Sequence, residues 1–329
     1  MTYREVKAFN NSLMGIYEED YSAFVAYWVG NQPLPKKEEE YLTMGSIIDV
    51  LLTKPESYEE NFIIFRGKAP SAPQMVAFCS KLAALYTPGM PMSGYYPLAY
   101  EAVGIKTPKL ETFVERFEEF KPYFEFLLER DKKIVITQEQ ANKAANIVDQ
   151  LRNNPYTKDI VNAQNTSTGE VHNQLELYGS YRGIPTKGAL DRVLISHRNK
   201  TVQPIDFKTS YNVLDFRNSY YKYRYYRQGS YYTYLLRQWL DSNNYADYTI
   251  LPFTFVVCST SGGQHWLYRM TENDITSAEV GGETTWGYPI KGWRTILDEV
   301  WYMTNSSKEF AFPYECQVNN GVMNLNIFK

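Results

Sequence analysis

The sequence predicts an α/β (α+β) protein, a central mixed β-sheet flanked by helices behind a mainly helical amino-terminal half. Three observations predict it. Up to about residue 160, apolar residues recur at the three-or-four spacing of helices. Three β-rich runs then follow in quick succession, Gln174 to Arg182, Ala189 to Ser196 and Thr201 to Phe207. After them a long helical stretch precedes two further β-rich runs, an order that suits one central sheet.

The elements read in order as follows. The first 60 residues are helical with loops, and Met44 to Leu52 is a short apolar helix with Asp49 inside it. Residues 87–97, with three prolines and two glycines, form a loop. Phe113, Phe117, Phe120, Phe124 and Leu127 mark a helix, kinked at Pro122. Thr137 and Gln140 make a capping box for a helix that ends at Asn154-Pro155. Polar residues 163–170 lead into the three strands, and Val213 to Leu240 reads as one long helix. Thr249 to Ser259 and Gln264 to Met270 are two more strands, and the last helix runs from Trp293 to Met303. A single domain is expected over 1–329, with a helical part at 1–160, a β-rich part at 170–270 and a helix and tail at 271–329.

Bulk composition narrows the function classes. With 329 residues, 44% of them apolar, the chain can bury a large core without staples. Cys79, Cys258 and Cys316 are odd in number and dispersed, which indicates neither a disulfide framework nor a zinc cluster and fits a cytoplasmic setting. No apolar run is long enough for a membrane span. The net charge of -3 excludes a protein that coats nucleic acid by overall basicity, so any such contact is local. No phosphate-binding P-loop and no serine nucleophile elbow are present. His172, His197 and His265 are scattered and read as ordinary polar residues.

One constellation carries chemistry. His197-Arg198-Asn199-Lys200 is a polar turn in which Asn tolerates positive φ. A hairpin centred between Arg198 and Asn199 pairs residues whose numbers sum to 397, so Asp191 falls opposite Asp206. Directly opposed residues have Cβ atoms roughly 4.5–5.5 Å apart, and two like charges there need a neutralising partner. A cation would serve. Lys208, two residues along the strand, shares the face of Asp206. Two carboxylates with the Phe207 carbonyl suit a hard divalent ion, Mg²⁺ or Mn²⁺, and an adjacent lysine suits orientation or deprotonation of a water, the requirements of phosphodiester hydrolysis. Acid-x-Lys also occurs at Glu5/Lys7, Glu119/Lys121 and Asp131/Lys133; strand context and an opposed acid distinguish residues 206–208.

The words GIPTKGALDRVLI, PIDFKTS and FRNSYYKYRYYRQGSYYTY, with LTMGSIIDVLLTKPESYEENFII and FNNSLMGIYEEDYSAF upstream, resemble the exodeoxyribonuclease VIII-type (RecE-like) nucleases of phages and prophages, members of the PD-(D/E)xK superfamily. The resemblance covers roughly residues 3–65 and 137–240. It implies a restriction-endonuclease-like core and an Mg²⁺-dependent exonuclease acting on linear duplex DNA, 5′ to 3′. The single-stranded tails so made would serve a recombination annealing protein. It also implies a ring-like homo-oligomer working in the cytoplasm, that of the host if the chain is phage-encoded. Asp191, Asp206 and Lys208 match the catalytic residues, and Gln228 and Tyr232 match the family's Q-x-x-x-Y motif. Asp49 stands where relatives carry a metal-binding histidine, and Glu176 matches an acid near the site. With the resemblance, Arg217, Lys222, Arg224, Arg227 and Arg237 read as a basic strip for phosphates, its tyrosines stacking on unpaired bases, with Lys187 and Arg192 flanking the site. Competing readings are an endonuclease, a RecB-like nuclease with an iron–sulfur cluster, which three dispersed cysteines oppose, and a non-catalytic DNA-end-binding protein, which an intact Asp191, Asp206 and Lys208 oppose.

Overall fold

The structure is a computed structural model that describes residues 3, 5–34, 40–130, 133–306, 310 and 312–323. Residues 324–329 of the expected tail lie outside these. The chain divides into two compact units, one of residues 1–39 and 149–329, the other of residues 40–148. The helical first 160 residues are therefore not one body, because the amino-terminal segment belongs with the sheet.

That segment forms helix α1 (Asn11–Glu19), capped by the Asn10 side chain on the Leu13 amide. The sheet begins with an antiparallel meander of β1 (Gly169–Tyr181), β2 (Ile184–Ser196) and β3 (Thr201–Ser210). Arg182 and Gly183, both at positive φ, close the first hairpin in two residues. In the second turn the positive φ falls on Lys200, not on the Asn199 expected to favour it. The pairs from Arg192↔Ile205 to Ser196↔Thr201 nonetheless keep the register that sums to 397.

The stretch expected to be one helix is broken. A 3₁₀ turn at Val213–Asp215 leads to α2 (Phe216–Lys222), and α3 (Tyr225–Ser242) starts afresh after Arg224, whose φ is +56°. A left-handed residue cannot continue a right-handed helix, so the aromatic stripe changes direction there. The next expected strand is also interrupted. Thr249–Ile250 (β4) and Thr254–Ser259 (β5) both run parallel to β3, separated by Leu251-Pro252-Phe253, and β6 (Trp266–Arg269) completes the order β1-β2-β3-β5-β6. The sheet is thus mixed. A capping box of Thr271 and Asp274, missed in the sequence, opens α4 (Glu272–Val280); a small hairpin of β7 (Gly282–Glu283) and β8 (Pro289–Ile290) precedes α5 (Trp293–Asn305).

The core of this unit lies between the sheet, α3 and α5, where Leu190, Val193, Tyr231, Leu235, Phe255 and Trp293 are buried together. Two glycines allow the close approach. A Cβ on Gly188 would stand 2.8 Å from the Tyr232 ring, and one on Gly229 would collide with Met270 Sδ.

The second unit packs Phe78, Leu82, Phe113, Phe117 and Phe124 from helices Pro73–Leu85, Leu110–Phe117 and Lys121–Arg130. The interruption near Pro122 takes the form of a 3₁₀ turn at Glu118–Phe120. Within the expected loop of 87–97, Met92–Gly94 is a 3₁₀ turn and Tyr96 already begins a helix, since proline is accommodated in a first turn. The Thr137–Gln140 capping box is present, with bonds of 2.8 and 3.1 Å. Among the described residues no helix is long and apolar enough to cross a membrane.

Candidate active site

The site is an opening in the sheet. On β3, the Val202 carbonyl accepts from Leu251, on the side away from β2. Alternation then turns the odd-numbered residues of β3 toward β2 and the even ones toward β5. Arg192↔Ile205 is the last regular pair with β2. Beyond it β3 continues in parallel register with β5 from Ile205↔Thr254 to Ser210↔Ser259. The next rung toward β2 would use Phe207, and its amide donates to Asp191 Oδ2 at 2.8 Å instead. A carboxylate therefore replaces a backbone acceptor where the strands part. By the same alternation the Phe207 carbonyl also faces the opening.

Asp206 is almost fully enclosed, 1% exposed. Its Oδ1 accepts from Gln228 Nε2 at 2.8 Å, a bond supplied by the first turn of α3. Its Oδ2 is paired with the Lys208 ammonium. Burial pushes the Asp206 carboxyl above its ordinary range, and the Lys208 ammonium and Gln228 amide pull it back only in part. Burial pulls on Lys208 in the opposite sense, yet the charges of Asp206 and Asp191, with the Tyr225 phenol, outweigh it and hold the ammonium protonated. Lys208 Nζ also lies 4.7 Å from the centre of the Tyr225 ring. Lysine in this state is a donor, not a base. The Tyr232 phenol is raised by burial first, then by Tyr3, Asp206 and Asp191, and stays neutral.

Asp191, Asp206, Lys208, Gln228 and Tyr232 thus act on one another at a single place. Three neighbours were missed in the sequence. Gln174, at φ +48°, reaches Asp191 Oδ1 at 3.4 Å, and the Arg182-Gly183 turn could have placed it opposite Asp191. Tyr225 was hidden in the aromatic stripe. Cys258 on β5 is buried, and burial, then Asp191, push its thiol up to about 12, which excludes it as a nucleophile near neutrality.

Glu176 pairs across from Ala189, is exposed, and accepts from the Tyr178 hydroxyl at 2.8 Å. Asp49 lies on helix Glu40–Thr53 of the other unit, its carbonyl accepting from Thr53 Oγ1 at 2.7 Å. Among the described residues no group of three or more His, Cys, Asp or Glu gathers as a metal cage. Of the expected ligands, Asp191 bonds the Phe207 amide and Asp206 is the chain neighbour of Phe207, while Glu176 is paired with Ala189 and Asp49 belongs to the other unit. Asp191, Asp206 and Phe207 fit a hard divalent ion in kind, with two carboxylates, one of them buried, and a carbonyl facing the same gap.

The basic strip contracts. Arg227 is 1% exposed, donates to Asn11 Oδ1 at 3.1 Å and pairs with Glu18. Arg224 pairs with Glu18 at 3.2 Å and Glu19 at 2.5 Å. Both are neutralised by α1, and Gly15 leaves room for their guanidinium groups. Lys187 is buried, donating to the carbonyls of Tyr3 and Val6 at 2.8 and 2.6 Å. Arg192 is buried against Asn173, Ile160 and Val161, and burial, then Arg152, pull it down to about 10. Arg237 donates to the Tyr248 carbonyl at 2.6 Å. These five tie the fold together and do not reach out toward phosphates. Arg217 and Lys222 on α2 remain exposed.

No protein-family model and no curated protein matches the chain. Among solved structures, a protein from Eubacterium rectale described as a candidate exonuclease is similar at 15% identity, over 75% of this chain and 82% of that one, with a TM-score of 0.33. That likeness is too slight to carry an argument about fold or chemistry.

Proposed function

We propose that this chain is a metal-dependent nuclease of the PD-(D/E)xK type that hydrolyses phosphodiester bonds of DNA at the opening between β2 and β3. The observation that carries the reading is the enclosed Asp206, one oxygen fixed by Gln228 and the other left to Lys208 beside a second carboxylate.

Asp191, Asp206 and the Phe207 carbonyl would hold Mg²⁺ or Mn²⁺. A divalent ion so bound acidifies water and stabilises charge on a leaving oxygen. The protein's own groups divide the remaining work. Gln228 and the Phe207 amide fix the two carboxylates, so their lone pairs point in set directions. Lys208, kept protonated, donates to a phosphate oxygen or to the attacking water. Tyr232 and Tyr225 close the apolar side and exclude bulk solvent, which strengthens each charge interaction inside.

The specific form we favour is an exonuclease on linear duplex DNA, running 5′ to 3′, working as a homo-oligomer and leaving single strands for an annealing partner. Incubation with end-labelled linear duplex and covalently closed circles, with and without Mg²⁺, tests it. Loss of the linear substrate alone, and only with metal, is expected; cleavage of closed circles would make it an endonuclease, and no cleavage of either would remove the reading.

A further inference from the structure

An aromatic surface between α2, α3 and the β7–β8 hairpin is left unused by the catalytic reading. Tyr221 on α2 lies near-parallel to Tyr226 of α3, at 6.4 Å and 20°, and to Tyr288 at the β7–β8 hairpin, at 6.1 Å and 28°. Trp286, from the same hairpin, meets the Tyr221 ring edge-on at 6.0 Å. Trp286 is 54% exposed and Tyr288 56%. Two large rings left so open on a short hairpin, one near-parallel and one edge-on to Tyr221, offer apolar surface to solvent.

The position is specific. Tyr226 follows Tyr225, whose ring carries Lys208, and Gln228, which holds Asp206, lies two residues further. At about 100° per residue Tyr226 and Gln228 point to opposite sides of α3, so the aromatic set lies across this helix from the site. Arg217 and Lys222, the exposed cations left in the basic strip, belong to α2, which contains no acid. Flat rings on an element next to exposed cations match an unpaired nucleobase and its phosphate.

We infer that Trp286 and Tyr288, backed by Tyr221, form a stacking platform for unpaired bases of a single DNA strand. The inference rests on the nuclease reading for its substrate, but its test does not need hydrolysis. Binding of a labelled oligothymidylate to the intact chain in EDTA is measured by anisotropy, beside an abasic oligonucleotide of equal length. The Trp286→Ala/Tyr288→Ala variant is expected to bind oligothymidylate about tenfold more weakly, while Trp286→Phe/Tyr288→Phe stays within about threefold of the parent. The parent itself should bind the abasic strand about tenfold more weakly than oligothymidylate, a comparison independent of how any variant folds. Equal affinity of the parent for both strands, or an alanine variant that binds oligothymidylate like the parent, overturns the platform. So does a self-association of the parent in sedimentation that the alanine variant abolishes. Hydrolysis by Lys208→Ala is measured in parallel with Mg²⁺ restored: full activity there removes the catalytic assignment while base-dependent binding leaves the platform standing.

Discussion

Asp191 Oδ2 accepts from the Phe207 amide at 2.8 Å, in place of the backbone rung that would have tied β2 to β3 one step further. That exchange opens the sheet without leaving a buried N–H unpaired, which would cost about 1–3 kcal/mol. It also places one carboxylate beside the other, so the local fold and the proposed chemistry depend on the same bond.

Gln228 is expected to matter through Asp206 and not through substrate. Gln228→Ala frees Asp206 Oδ1, and should raise the Mg²⁺ concentration for half-maximal hydrolysis by about tenfold to a hundredfold, the range for losing a group that orients a metal ligand. Gln228→Glu adds a negative charge beside an already raised carboxyl and should be worse at neutral pH than at alkaline pH. A Mg²⁺ titration identical to wild type in both variants would remove Gln228 from the site.

The arginines separate stability from binding. Arg227→Ala removes a buried guanidinium with its bonds to Asn11 and Glu18 and should destabilise the fold by about 1–3 kcal/mol, visible in a denaturant midpoint. Arg217→Ala and Lys222→Ala should leave that midpoint unchanged, while each reduces the salt dependence of DNA binding by about one unit of slope. The reverse pattern, stable Arg227→Ala with weakened DNA binding, contradicts the placement.

How far this site was legible from sequence follows from distance along the chain. The β2–β3 register could be read because a four-residue turn sits between strands whose patterning admits one pairing. Lys208 pairs with Asp206 as their shared face implies, but the ladder ends at Arg192↔Ile205, so Asp191 bonds the Phe207 amide instead of opposing Asp206 as a regular pair. Glu18 and Glu19, which cancel Arg224 and Arg227, lie some two hundred residues upstream, and no periodicity within the tyrosine-rich stretch announces them. The break at Arg224 was hidden for a related reason, since the aromatic stripe continues through it. Asp49 and Glu176 were expected at the site only through resemblance; the Arg182-Gly183 turn fixes Glu176 opposite Ala189, whereas no local pairing positions Asp49.

A second carboxylate reports on the opposite end of the sheet. Glu170 bonds His172 at 2.8 Å, lies 3.0 Å from His197, and accepts from Tyr245 at 3.0 Å. Burial raises its pKa, but the His172 and Tyr245 bonds and the two histidine charges outweigh burial and hold it below its ordinary 4.5. A depressed carboxyl stabilises the fold above its unfolded pKa and loses that contribution as pH falls through the folded value. The melting difference between wild type and Glu170→Gln should therefore be full near about pH 6 and shrink to nothing in stronger acid. A difference constant across that range would show that the Glu170 contacts do not depend on its charge.

The central claim is that Asp191, Asp206 and Lys208 form one hydrolytic centre. Single-turnover hydrolysis of linear duplex DNA in Mg²⁺ by Lys208→Ala tests it most directly, with circular dichroism confirming the fold. The account predicts a rate at least about a hundredfold below wild type with DNA binding retained. A folded Lys208→Ala protein that cuts at the wild-type rate contradicts it.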